Sequence, residues 1–207
     1  ADEAKYINTA ETSIYTKGET LYGLNWARDD IRKLGFAYLV EGYTDLLALV
    51  RAGFANTAAS LGTSLTQGQI RLLKRFCSRV HVVYDSDSAG INAAIRAADL
   101  LTVSGLEARL IRLPDGDDPD SMLLRGGAQL LGEVLSQHSS FIQFRVETAG
   151  ITPKLGPAAR IEAARELLET IRSVHDPLQV DLLLKELTGL IGIRQEMLGK
   201  AMSEIKA

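Results

Sequence analysis

The sequence predicts an α/β fold: a parallel four-stranded sheet flanked by helices, followed by an α-helical C-terminal subdomain. Three observations carry this. Short apolar runs alternate with helix-periodic segments between residues 36 and 113, the pattern of a parallel sheet with helices on its faces. Acidic residues stand where those apolar runs stop, at Glu41, at Asp85 and across residues 115–120. Beyond the proline and glycine signals of residues 150–157 the spacing is helical only.

Residues 1–35 are mixed and polar, with short possible strands around Tyr6-Ile7 and residues 13–15 and a helix from about Thr20 to Leu34. They read as the end of something larger, because alone they have little to pack around. Residues 36–41 form the first strand, and a helix over 44–52 is stopped by Gly53. A short second strand covers 55–60. Thr66 and Gln69 make a capping box for a helix to about Phe76. The third strand is 80–85. The helix over 89–104 places Ile91, Ala94, Ile95, Ala98 and Leu101 on one face and ends at Gly105. The fourth strand is 106–113. After the acidic loop, residues 127–137 are expected to be helical, and another helix follows from about Ser140.

Residues 151–157 read as a linker. Past it, Ile161, Ala164, Leu168 and Ile171 form one stripe. Asp176 is an N-cap with Pro177 at the first helical position. Leu178, Leu182, Leu187 and Leu190 follow, Gly192 breaks the run, and Met197, Leu198, Ala201, Met202 and Ile205 make the last stripe.

Composition narrows the function. The net charge of −3 gives no general basic coat, so nucleic-acid binding would need local patches. The one cysteine, Cys77, excludes an internal disulfide and a multi-cysteine zinc site within this chain. It is compatible with a reducing cytoplasm. No run of about 18 apolar residues occurs, so no membrane-spanning helix is predicted, and the first residues lack a signal peptide's apolar core.

The acids carry the chemistry. In an open α/β sheet, ligands bind outside the carboxyl ends of the strands. Two carboxylates about 4 Å apart repel by roughly 4 kcal/mol at an effective dielectric near 20. Hard divalent cations relieve this, and Mg²⁺ is held by one or two carboxylates plus substrate phosphates. Glu41 is followed by Gly42, which permits a tight turn and close approach of a ligand. Asp85 and Asp87 alternate by two and can face one ion. The alternative is that these are ordinary strand ends and helix caps. Asp45 is either a member of the cluster or an exposed first-turn acid favoured by the helix dipole. Asp118 and Asp120 flank Pro119, which fixes their spacing; the alternative is a solvated turn with Asp120 capping the next helix. Arg71, Lys74, Arg75 and Arg79 form a solvated face or a phosphate-contacting ridge. His81 and Cys77 read as structural.

A strand ending in glutamate followed by a strand ending in Asp-x-Asp resembles the TOPRIM domain of primases, type IA and type II topoisomerases, OLD-type nucleases and recombination proteins. The longer match is narrower. Residues 41–54 (EGYTDLLALVRAGF), 59–66 (ASLGTSLT), 84–90 (YDSDSAG) and 113–121 (LPDGDDPDS) resemble the bacterial replicative primase of the DnaG type. Residues 5–12 with Lys17-Gly18 resemble the segment leading into that domain, and the helices around Asp176-Pro177 its helical subdomain. Thr44 stands where the family usually has an apolar residue and Ser86 where glycine is common; neither change removes a carboxylate.

The resemblance implies a TOPRIM fold and a DNA-dependent RNA polymerase, a nucleotidyltransferase making short RNA primers on single-stranded DNA. Glu41 would be the catalytic acid, acting in proton transfer or metal binding. Asp85 and Asp87 would be metal ligands, Asp118 and Asp120 would help bind further ions, and Asp45 would complete the cluster. Lys5 and Lys17 match lysines of the basic surface where template or incoming nucleotide lies. It implies Mg²⁺ or Mn²⁺, more than one ion, and no zinc in this fragment. Its partners would be single-stranded DNA, ribonucleoside triphosphates, an RNA primer and, through a domain absent here, the replicative helicase, in the cytoplasm at replication forks and not on a membrane. The domains would be 1–35, the end of the N-terminal core subdomain; 36–138, TOPRIM; and 139–207, the helical subdomain. As an excised fragment, the chain is expected to show weak or no polymerase activity alone. The other readings are a metal-dependent TOPRIM nuclease and a non-catalytic module binding metal and nucleic acid.

Overall fold

The structure, a computed structural model, describes residues 12, 13, 15–61, 64–151 and 156–205. The expected strand at Tyr6-Ile7 lies outside them, and around residues 13–15 a single bridge joins Thr12 to Tyr15. Helix α1 (Leu24–Leu34) starts later than the spacing predicts. Tyr22 is extended instead, exchanging two 2.9 Å backbone hydrogen bonds with Ala59.

The alternation of the middle segment produces β1 (Phe36–Val40), α2 (Tyr43–Arg51), β2 (Thr57–Ala59), α3 (Gln67–Leu73), β3 (Arg79–Val83), α4 (Ser88–Val103) and β4 (Glu107–Ile111). These four strands are parallel, in the order β2-β1-β3-β4. The chain is a TOPRIM-type α/β fold. Beyond the expected strands, β5 (His138–Ser140) pairs antiparallel with β4 and closes that side of the sheet. It follows α5 (Pro119–Ser136), which begins well before residue 127. Asp118 is its N-cap and Pro119 its first residue, while Gly127 (φ 67°) is a kink inside it. The Asp118-Pro119 pair is therefore the start signal, and Asp120 lies in the first turn rather than capping.

Side-chain alternation sorts the core into two faces. Ala37, Leu39, Val80, Val82, Ala108 and Leu110 meet α1, α3 and α4, together with α6 (Phe141–Thr148) and the C-terminal helices. Tyr38, Val40, Val83 and Ile111 meet α2 and α5. His81 is structural: it is buried, stacked 4.4 Å from Phe36 and edge-on to His138. On α4, Ala94, Ala98 and Leu101 are buried, and Ile91 and Ile95 pack against them.

The C-terminal helices are α7 (Pro157–Arg172), α8 (Pro177–Ile191) and α9 (Gln195–Glu204). Their buried faces are Ala164, Leu168 and Ile171; Leu184, Leu187 and Ile191; and Leu198. The expected stripe on α8 is displaced. Leu178 and Leu182 are exposed, because the face that meets α6 and α7 runs through 184, 187 and 191. Ile161 and Met197 also face outward.

The segment before α1 is held mainly from the start of α3, by Thr66, which donates to the Gly18 carbonyl, and by Gln69. The Thr66–Gln69 capping box forms as expected, with Gln69 N–H on Thr66 Oγ1 at 3.2 Å and Thr66 N–H on Gln69 Oε1 at 3.1 Å. The fully buried Gln69 then donates its Nε2 to the carbonyls of Lys17 and Thr20, at 3.0 and 2.9 Å.

Truncating Leu101, which is fully buried on α4, is expected to cost about 2–5 kcal/mol. Leu178→Ala is expected to change stability by no more than about 0.5 kcal/mol. Urea midpoints at unchanged slope test both.

Candidate functional site

The strand order fixes where a site can form. From β1 the chain moves one way to β2, and from β3 it moves the other way to β4. Right-handed crossovers then put α2 and α4 on opposite faces, leaving a crevice outside the carboxyl ends of β1 and β3. Glu41 follows β1 and Asp85 follows β3. The β4 carboxyl end leads into the loop that carries Asp117 and Asp118.

Backbone amides hold several of these acids. Asp45 is buried and accepts the Gly42 N–H at 3.1 Å, so it is the reciprocal cap of α2 rather than an exposed acid. Asp87 is the N-cap of α4, accepting the Gly90 N–H at 2.7 Å. Asp118 caps α5 through the Ser121 N–H at 2.7 Å. Capping and membership of the acidic group are thus properties of the same residues. Gly90 is required for the α4 turn: a Cβ there would lie 2.4 Å from the Asp85 carbonyl oxygen. Ser86 ties the two loops together, accepting the Gly116 N–H at 2.9 Å and donating to the Asp117 carbonyl at 3.2 Å. Asp117 is drawn off by a bidentate pair with Arg125, at 2.8 and 2.6 Å.

Electrostatics join the acids into one group. Burial pushes the Glu41 carboxyl up to about 7, with the charges of Asp85, Asp45 and Asp87 adding and Arg96 opposing. Burial pushes Asp45 up to about 6 against its Gly42 hydrogen bond, and Asp85, Asp118 and Asp120 add to the rise. Asp85 is raised by burial and then by Asp118 and Asp87. The buried Glu41 Oε1 has no hydrogen-bond partner among the described residues. Among the described residues, no three carboxylates, imidazoles or thiols converge closely enough to hold one ion together.

The remaining expected residues fall elsewhere. Lys5 lies outside the described residues. Lys17 is half-buried in a 3-10 turn, Lys17–Glu19. The expected cationic ridge is engaged within the protein. Arg71 pairs with Glu19 at 3.2 Å, Arg79 with Glu107 at 2.7 Å, Lys74 donates to the Ser104 carbonyl at 2.6 Å, and Arg75 lies over Phe76. All four side chains are exposed. Sequence reasoning missed Ser86 as the tie between loops and Arg96 as the cation whose charge reaches Glu41. No sequence signal marks either.

The fold and the acidic crevice define a Toprim-like protein, and the Toprim-like family profile matches residues 38–123. The chain is 36% identical to the DNA primase of Clostridium acetobutylicum over 194 residues, covering 93% of this chain and 32% of that protein. It is 41% identical to the DNA primase of Aquifex aeolicus over 145 residues, 70% of this chain and 29% of that protein. Among solved structures, the zinc-binding and RNA polymerase domains of the Aquifex aeolicus primase superpose with a TM-score of 0.82 at 33% identity, over 99% of this chain and 48% of that one. A DnaG primase catalytic domain bound to single-stranded DNA gives a TM-score of 0.81 at 32% identity, over 95% of this chain and 63% of that one. The chain belongs to the DnaG-type bacterial primase family. It spans about a third of the length of the curated relatives it matches.

Two expectations follow from this geometry. Gly90→Ala is expected to destabilise by about 1–3 kcal/mol through the clash with Asp85, while Gly189→Ala, with nothing within 4 Å of its Cβ, is neutral or stabilising; thermal denaturation compares them. The second concerns pH. Glu41 ionises near 4.5 unfolded and near 7 folded. Its contribution to stability is therefore present below about 4.5 and is lost as pH rises through about 7. With chelator present, Glu41→Gln is expected to exceed wild type by about 1–2 kcal/mol at pH 8 after solvent screening, the gap closing towards pH 5. A variant less stable than wild type at pH 8 contradicts this.

Proposed function

We propose that the parent protein is a DNA primase, a DNA-dependent RNA polymerase that makes short RNA primers on single-stranded DNA, and that this chain carries the acidic part of its catalytic core. The observation that carries this reading is the gathering of Glu41, Asp45, Asp85, Asp87, Asp118 and Asp120 at the strand ends of a primase-family chain. Residues 36–138 are read as the TOPRIM domain and 139–207 as a helical subdomain behind it, with 1–35 leading in.

The residues fit hard divalent cations. The donors are all carboxylate oxygens, they repel one another, and one buried oxygen of Glu41 lacks a partner among the described residues. Asp85 and Asp87 would hold Mg²⁺ or Mn²⁺, Asp118 and Asp120 would help with further ions, and Asp45 would complete the negative field. A bound divalent cation supplies neutralisation of the charge that develops on a reacting triphosphate. Glu41 holds or releases a proton near neutral pH, the range in which general acid–base groups work best. The α4 N-terminus, opened at Asp87, adds oriented amide dipoles favourable to phosphate. Lys5 and Lys17 would contact template or incoming ribonucleoside triphosphate. Contact with the replicative helicase is assigned to a part of the parent protein outside this chain, acting in the cytoplasm at replication forks. Among the described residues no helix is long and apolar enough to cross a membrane.

Calorimetric titration with Mn²⁺, with and without a ribonucleoside triphosphate, tests the site. Wild type is expected to bind the ion and to bind nucleotide more tightly with it. Asp85→Asn/Asp87→Asn is expected to lose ion affinity by more than about tenfold, the equivalent of at least 1.4 kcal/mol. Unchanged ion binding in the double variant would sink the assignment of these two acids.

A further inference from the structure

A cavity of about 200 Å³ lies directly beside Glu41, lined at its polar positions by Glu41, Ser60, Ser64, Tyr84 and Arg96. It has room for about six water-sized groups. Its floor is small because α4 presents Ala93 and Ala97 there, one turn apart on the face that carries Arg96. A bulkier side chain at either alanine would fill the space.

The charges in this cavity are laid out for a ligand. Glu41 Oε1 is buried and has no hydrogen-bond partner among the described residues. Arg96 is exposed at the mouth, and among the described residues it makes no ion pair with Glu41 or any other carboxylate. Its charge nevertheless acts on Glu41. A buried acceptor, an exposed cation and serine hydroxyls lining one cavity suit a molecule with hydroxyl donors at one end and an anion at the other. A sugar bearing a phosphate has that arrangement. A hydrogen bond from a sugar hydroxyl would satisfy the orphaned carboxylate oxygen, whose burial without a partner costs free energy. The guanidinium fork would take the phosphate, with which it forms strong charge-assisted bonds.

We propose that this cavity seats the ribose of a ribonucleotide, with a ribose hydroxyl donating to Glu41 and Arg96 binding the attached phosphate at the mouth. The proposal rests on the primase reading of Glu41 and adds to it a residue that sets where the sugar lies. The sugar–phosphate belongs either to the 3′-terminal nucleotide of the primer or to the incoming triphosphate, and the ligands below separate the two.

The test is an amide-shift NMR titration of the 207-residue chain in EDTA. The ligands are a ribonucleoside 5′-monophosphate, its 2′,3′-dideoxy analogue, a ribonucleoside triphosphate and a trinucleotide RNA with a free 3′-hydroxyl. Arg96→Ala is expected to weaken the monophosphate about tenfold, the scale of one charge-assisted contact. Arg96→Lys is expected to recover most of that loss. The dideoxy analogue is expected to bind wild type several-fold more weakly. Beyond the loss shared with the monophosphate, a larger loss for the trinucleotide than for the triphosphate assigns the cavity to the primer end, and the reverse assigns it to the incoming nucleotide. Equal affinities in wild type and Arg96→Ala, or a lysine variant no better than alanine, overturn the proposal. Mn²⁺ binding of Arg96→Ala is expected to match wild type. A wild type that binds no Mn²⁺ counts against the metal reading while leaving the Arg96 comparison, made without metal, intact.

Discussion

Mutual repulsion among carboxylates is the constraint around which this structure is organised. Six acids at the ends of three strands and the starts of the helices that follow them lie near enough for their charges to act on one another. Left to themselves, they would spread into water. The backbone prevents this by using the same side chains as caps. Asp45, Asp87 and Asp118 each accept an amide hydrogen from the first turn of a helix or the residue before it, so moving the acid away would also unpair an amide. The helix starts thereby fix the acids, and the acids fix the helix starts. Glu41, Asp85 and Asp120 have no such amide among the described residues. Of these, Glu41 has a buried oxygen without a partner among the described residues, and its proton affinity is raised the furthest into the neutral range.

The sheet makes this gathering possible through the reversal of strand order between β1 and β3. Helices α2 and α4 leave the crevice on opposite faces, and neither covers it. The cost of that opening is borne by two separate cores, one on each face. The C-terminal helices thicken the core on the α4 face. Through α4 they buttress the element whose first turn carries Asp87 and whose third turn carries Arg96. Distant apolar packing and local charge geometry are thus linked along one sixteen-residue helix.

Most of the sheet was legible because its strands are apolar runs bounded by glycines and acids. Strand β5 was not, because His138-Ser139-Ser140 carries no apolar alternation; it is a strand only by pairing with β4. The start of α5 was misplaced for a different reason. The two glycines at 126 and 127 resemble a beginning, whereas they mark a kink within a helix that Asp118 and Pro119 had already opened. On α8, leucines at helical spacing exist on two faces, and only the packing of α6 and α7 selects one. The acids were legible from their position after each strand. Their double use as caps was visible only in part, since the reciprocal bond from Gly42 to Asp45 involves a residue with no side chain to signal it. Arg96, eleven positions beyond Asp85, reaches Glu41 only because the helix between them folds back along the sheet.

Gln69 has a consequence for how this chain can be divided. Its carboxamide is fully buried and takes its partners from Thr66 on its own helix and from the carbonyls of Lys17 and Thr20, some fifty residues earlier in the sequence. A polypeptide cut between residues 22 and 24 would leave the Gln69 amide hydrogens with only the long 3.5 Å contact to the Ser60 carbonyl. It would also strip Tyr22 from the outer side of β2, baring a strand edge open to pairing with another copy. The lead-in residues are therefore integral to solubility as well as to folding, and the shortest well-behaved piece of this protein must begin ahead of Lys17.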